Sequence, residues 1–217
     1  MNINTVFHYC CWVHHGYPIH LVTTILPYVR ETLDNESIEG AVRLLRCSYR
    51  EERYACKLQY GCVSQWDTSQ VTCMAALFSY CTNFNDDISQ WDTSNVTDMT
   101  YMFHGCYTFN QPIGNWNVAR VTQMSGMFSN AFSFNQPLEG WNVSRVSNMM
   151  EMFQNAKTFN QPIARWNVAN VLNMESMFAN AFCFNQCLDS WNVSSVTVRK
   201  NMFYKDYNLN RLPWWRW

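Results

Sequence analysis

Six tryptophans, Trp66, Trp91, Trp116, Trp141, Trp166 and Trp191, follow one another at an interval of 25 residues with no insertion or deletion between them. A single 25-residue unit has one apolar face, too small to offset the entropy of ordering it. Neighbouring units must therefore stack and share an interior. Residues 109–134, FNQPIGNWNVARVTQMSGMFSNAFSF, show one full turn of the pattern.

Within each unit the apolar positions are as regular as the tryptophans. A valine stands five residues after each tryptophan, from Val71 to Val196, and a phenylalanine twelve after it: Phe78, Phe103, Phe128, Phe153, Phe178 and Phe203. These rows, with the methionines between them, are the expected core. In the second copy Val96, Met99, Met102, Phe103 and Cys106 fall three or four apart, which predicts a short helix or 3-10 segment. Pro112 disfavours helix around it, so a short strand is expected near Ile113 to Trp116. The small row Cys81, Cys106, Ala131, Ala156 and Ala181 marks where adjacent backbones approach most closely. The expected fold class is an α/β solenoid of about six coils.

Two polar rows recur at fixed register. Asn85, Asn110, Asn135, Asn160, Asn185 and Asn210 are read as a structural ladder whose amides satisfy backbone groups at a corner. Asp67, Asp92, Asn117, Asn142, Asn167 and Asn192, each directly after a tryptophan, are expected to do the same at the other corner.

Residues 1–30 are apolar and aromatic, of unclear role, and fit no targeting segment well. Residues 31–61 form a capping region. Within it a helix is expected over 35–57, with Asn35 as cap, Glu36 and Glu39 in the first turn, and Ile38, Val42, Leu45 and Tyr49 on one face. Residues 62–207 carry the repeats, and Trp214, Trp215 and Trp217 mark a C-terminal cap over 208–217 that either closes the last coil or offers an aromatic patch.

The string WDTSNVTDMTYMFHGCYTFNQPI resembles the 25-residue BspA-like leucine-rich repeat of bacterial surface lipoproteins and surface antigens, over about residues 58–210. Tyr60 and Gly61 match the pair that commonly ends the capping helix in that family. The resemblance implies a leucine-rich-repeat-like solenoid, a surface or interaction role, and no catalytic residues.

Only 14% of residues are charged and the formal net charge is −1, so no general attraction to nucleic acid or membrane is implied. Residues 58–119 hold five acids and no base, whereas residues 120–217 hold nine bases against five acids. This asymmetry is either drift between solvated positions or the basis of a head-to-tail self-association. No uninterrupted apolar run approaches the length of a membrane span. Ten cysteines without regular spacing argue weakly for a reducing compartment, while four N-glycosylation sequons, at Asn35, Asn95, Asn142 and Asn192, point the other way. Cell surface and cytoplasm both stay open.

No phosphate loop, nucleophile elbow or zinc spacing is present, and no cofactor or metal is expected. Cys10, Cys11, His14, His15 and His20 crowd together but match no metal pattern. His104 occupies a variable position and reads as a plain surface residue, and Asp86 with Asp87 is the one faint enzymatic candidate. The leading expectation is a non-enzymatic repeat protein that binds a protein or glycan through its variable positions, and the alternative is a self-associating structural surface or virion protein whose coils stack end to end. The variable positions are the fourth residue after each tryptophan, Gln70, Asn95, Arg120, Arg145, Asn170 and Ser195, together with the pair just before it.

Overall fold

The computed structural model describes residues 32–46 and 50–204. The N-terminal segment with its Cys and His cluster, Asn210 and the C-terminal tryptophans lie outside the described residues. Two short helices cap one end of the repeats: α1, Asn35–Arg46, and α2, Arg50–Tyr60. They stand where a single helix over 35–57 was expected. A 3-10 turn over Val63–Gln65 leads into the first coil.

Asp34, not Asn35, caps α1. Its carboxylate accepts from the Ser37 amide at 2.8 Å while the Ser37 hydroxyl accepts from the Asp34 amide at 2.8 Å, a reciprocal capping arrangement. Hydrogen bonds from Ser37 hold the Asp34 carboxyl below its usual range. Asn35 instead ties the helix to the repeats, its side-chain oxygen accepting from the amides of Thr72 at 2.9 Å and Cys73 at 3.1 Å. Ile38, Ala41 and Val42 are buried, and the buried Cys56 thiol donates to the Ala41 carbonyl at 3.4 Å, joining α1 to α2. Gly61, at φ +74°, closes α2 by donating to the Lys57 carbonyl, a left-handed helix stop that glycine takes without steric cost.

The repeats form a stack of 25-residue coils, but not the expected α/β solenoid with strand-bearing coils of the leucine-rich-repeat kind. Among the described residues there is no β-strand and no sheet. The β-type pairing between adjacent coils is limited to isolated parallel bridges, Cys73 to Asp98, Asp98 to Gln123, Gln123 to Asn148, Asn148 to Asn173 and Asn173 to Val198.

The backbone accounts for both corrections. In the third copy the amides of Met124, Gly126, Phe128 and Asn130 donate forward to the carbonyls of Asn148, Met150, Met152 and Gln154 in the next coil. The amides between them, Met127, Ser129 and Ala131, donate back to Met124, Gly126 and Phe128. Such alternation needs left-handed backbone at two points, φ +58° at Gly126 and +59° at Asn130, and each of the first five copies shows both. A helix would need right-handed backbone throughout and bonds to the fourth residue back. Apolar residues three and four apart therefore line successive tight turns. The strand expected near Ile113 is also a turn: the Ile113 carbonyl accepts from the Trp116 amide at 3.1 Å and from the Trp141 indole at 3.2 Å. Both lone pairs are then occupied, and none is left for a ladder.

The interior consists of aromatic columns. Trp66, Trp91, Trp116, Trp141, Trp166 and Trp191 are all buried, as are Phe78, Phe103, Phe128, Phe153 and Phe178, while Phe203 in the last coil is half-buried. Consecutive phenylalanines of the column lie 5.5 to 5.7 Å apart and nearly parallel. Each indole from Trp91 onward donates to a carbonyl of the preceding coil, from Val63 for Trp91 to Ile163 for Trp191. Trp66 comes first and its buried indole N–H has no partner among the described residues. Thr32, just before α1, bridges Asp67 where a preceding coil would, and carbonyls inside α1 are consumed by the helix itself. Cys81 and Cys106 lie in the small row, where burial pushes the Cys81 thiol up to about 11 and Cys106 also above its ordinary value.

Both polar rows engage the backbone. Asn85, Asn110, Asn135 and Asn160 each accept, through the side-chain oxygen, from the amide of the next asparagine at 2.9 to 3.0 Å. Gln136, Gln161 and Gln186 add a second bond to the same oxygens. At the other corner Asp67, Asp92, Asn117, Asn142, Asn167 and Asn192 each accept from the amide two residues on. Asn135→Ala would strand the Asn160 amide and one Gln161 bond, and is expected to cost about 1–3 kcal/mol in urea unfolding. The same change at Asn185, which is exposed, should cost clearly less.

Candidate functional site

With the constant positions turned inward, the row four residues after each tryptophan lies on the surface, with Gln70, Arg120, Arg145 and Asn170 exposed and Asn95 and Ser195 half-buried. Its members do different work. Asn95 donates to the Ser69 carbonyl at 2.8 Å and Asn170 to the Ser144 carbonyl at 2.7 Å, so both tie one coil to the one before it. Arg120 donates to the Asn95 side-chain oxygen at 2.9 Å, which fixes its guanidinium in place. Arg145 makes no hydrogen bond or ion pair with any described residue.

Between the two arginines the surface opens into a depression of about 530 Å³ lined by Ala119, Arg120, Asn142, Ser144 and Arg145. No carboxylate lines it. The lining supplies two permanent positive charges, a carboxamide and a hydroxyl, all able to donate hydrogen bonds. Such a set can bind an oxyanion, but it holds neither a nucleophile paired with a base nor a metal-ligand set. Asn142 and Ser144 were not singled out as binding residues in the sequence, because they belong to the W-N-V-S motif that recurs elsewhere. Among the pairs that precede the tryptophans, Arg165 and Glu139 form an ion pair at 3.2 Å, with the arginine side chain 82% exposed; exposed pairs of this kind contribute little.

The remaining candidates are arranged otherwise. Asp86 and Asp87 are exposed, and Asp87 closes a turn by accepting from the Ser89 amide at 2.9 Å, bonds from Ser89 holding its carboxyl below the usual range. General acid-base work needs the opposite shift. Among the described residues no group of three or more His, Cys, Asp or Glu is placed to hold a metal ion.

His104 is more than a plain surface residue. Its ring meets Tyr80 at 4.8 Å and Tyr101 at 5.4 Å, both edge-on, and its buried Nδ1 has no hydrogen-bond partner among the described residues. Tyr101 lies over Gly126, where any Cβ would strike the ring at 2.0 Å, and its hydroxyl reaches Glu151 two coils along at 3.4 Å. Burial pushes the His104 imidazole below its ordinary value, against the smaller opposing pull of Glu151. The unfolded chain therefore takes up this proton first, and stability falls as pH drops through about 6.5. Thermal unfolding at pH 5.5 should come at lower temperature than at pH 7.5, and in His104→Gln this difference should shrink.

Among the described residues no helix is long and apolar enough to cross a membrane. No curated protein and no solved structure matches the chain. Residues 50–149 and 137–215 both match one family, so its pattern is met twice and together the two spans take in most of the sequence. By that match the chain belongs to the repeat family described as "Mycoplasma protein of unknown function, DUF285".

Proposed function

We propose that this chain is a non-enzymatic binding module that presents the row from Gln70 to Ser195 to a protein or glycan at a surface between organisms or cells. The observation that supports this reading most is the division of labour in the coils. The tryptophan, valine and phenylalanine rows are consumed by core packing, whereas Arg120 and Arg145 of the surface row, with Asn142 and Ser144 beside them, line a depression. The resemblance of the repeat to BspA-like surface antigens points the same way.

A printed array of glycans and extracellular proteins tests the reading, probed with the wild-type chain and with a variant carrying Gln70→Ala, Arg120→Ala, Arg145→Ala and Ser195→Ala. Asn95 and Asn170 are left intact because they join coils. Binding to a defined array member that disappears in the variant, with unchanged thermal unfolding, is the expected result. Binding to nothing on the array, or binding that survives the four substitutions, would contradict it.

A further inference from the structure

We infer that the depression between Arg120 and Arg145 binds an acidic saccharide, one whose sulfate or carboxylate group sits between the two guanidiniums while its hydroxyls meet Asn142 and Ser144. This deepens the binding role above and rests on it.

Three observations carry the inference. First, Arg120 and Arg145 occupy equivalent positions one coil apart and line the same depression, where their like charges repel with no acidic side chain in the lining to offset them. An anion between the guanidiniums removes the repulsion and accepts charge-assisted bonds from both. Second, Arg120 is held ready by Asn95 at 2.9 Å, so less side-chain entropy is lost when a ligand arrives. Third, the lining offers no apolar anchor beyond Ala119. A protein partner typically seats an aromatic or aliphatic side chain at the centre of its contact, whereas a saccharide is dense in hydroxyls and acidic groups that suit an Arg, Asn and Ser lining.

The test is titration calorimetry of the full chain against four probes: a sulfated heparin tetrasaccharide, a sialylated trisaccharide, the same tetrasaccharide desulfated and N-acetylated with its carboxyls reduced, and a hexaglutamate peptide. Either acidic saccharide should bind, sulfate and carboxylate being distinguished by which of the two does. The neutral tetrasaccharide should not bind, and affinity should fall with added salt. Arg145→Ala and Arg120→Ala should each weaken binding about tenfold or more. Arg199→Ala, an exposed arginine outside the depression, should change it by less than about twofold. Equal binding of the neutral saccharide, binding of hexaglutamate alone, or an acidic-saccharide affinity indifferent to both arginines would overturn the inference. In those cases a surviving array signal keeps the broader binding role, whereas silence in both experiments removes both.

Discussion

Phe128→Ala is expected to lower stability by about 3–5 kcal/mol, read as a shift in the urea midpoint of unfolding. The ring is fully buried. It stacks on Phe103 at 5.7 Å, on Phe153 at 5.6 Å and on Phe134 of its own coil at 4.0 Å. Its deletion leaves a hole that the chain cannot close by settling, because the Phe128 amide is bound to Met152 and its carbonyl to the Ala131 amide. Loss at a central coil also weakens both neighbouring interfaces, since each unit is stabilised mainly by the ones beside it. Phe132 provides the comparison. It is half-buried and stacks on Tyr107 at 4.6 Å near the surface, so Phe132→Ala should cost about 1 kcal/mol or less. Equal effects at the two positions would mean that the column is not the interior.

Trp141 should respond in two steps. Trp141→Ala removes a buried indole that packs on Trp166 at 6.4 Å and on Phe128 at 6.2 Å, and a loss of about 3–5 kcal/mol is expected. Trp141→Phe keeps most of the apolar contact but removes the donor that reaches the Ile113 carbonyl at 3.2 Å. That carbonyl still accepts from the Trp116 amide, so about 1–2 kcal/mol is expected. A phenylalanine variant as damaged as the alanine variant would make the indole bond, not the packing, the dominant contribution of this row.

The interval of 25 and the inward rows were legible because each copy states them again, and a position that is Trp, Val or Phe in every copy has to face the same surroundings in every copy. The path of the backbone was not. Spacings of three and four are shared by a helix and by consecutive turns that close three residues apart, and Met99, Met102, Phe103 and Cys106 satisfy both. A signal was present in the row Tyr80, Gly105, Asn130, Asn155 and Asn180, four of whose five members are glycine or asparagine, the residues that accept left-handed backbone most readily. The other left-handed row concealed it, because Ala76, Tyr101, Glu151 and Ser176 stand beside Gly126 there. At the candidate site Arg120 and Arg145 were legible as variable surface positions, but the depression between them was not. Asn142 and Ser144 look like ordinary members of a repeated motif until two coils are placed side by side. The contact from Tyr101 to Glu151 spans two coils and left no trace in the periodicity.

The central claim is that every residue of a coil lies beside its equivalent 25 positions away. Nuclear Overhauser measurements on a chain labelled at its phenylalanine rings test this directly. Cross-peaks should join Phe103 to Phe128 and Phe128 to Phe153, and none should join Phe103 to Phe153. Missing peaks between adjacent copies, or peaks between rings 50 positions apart, would contradict the stack and every inference built on it.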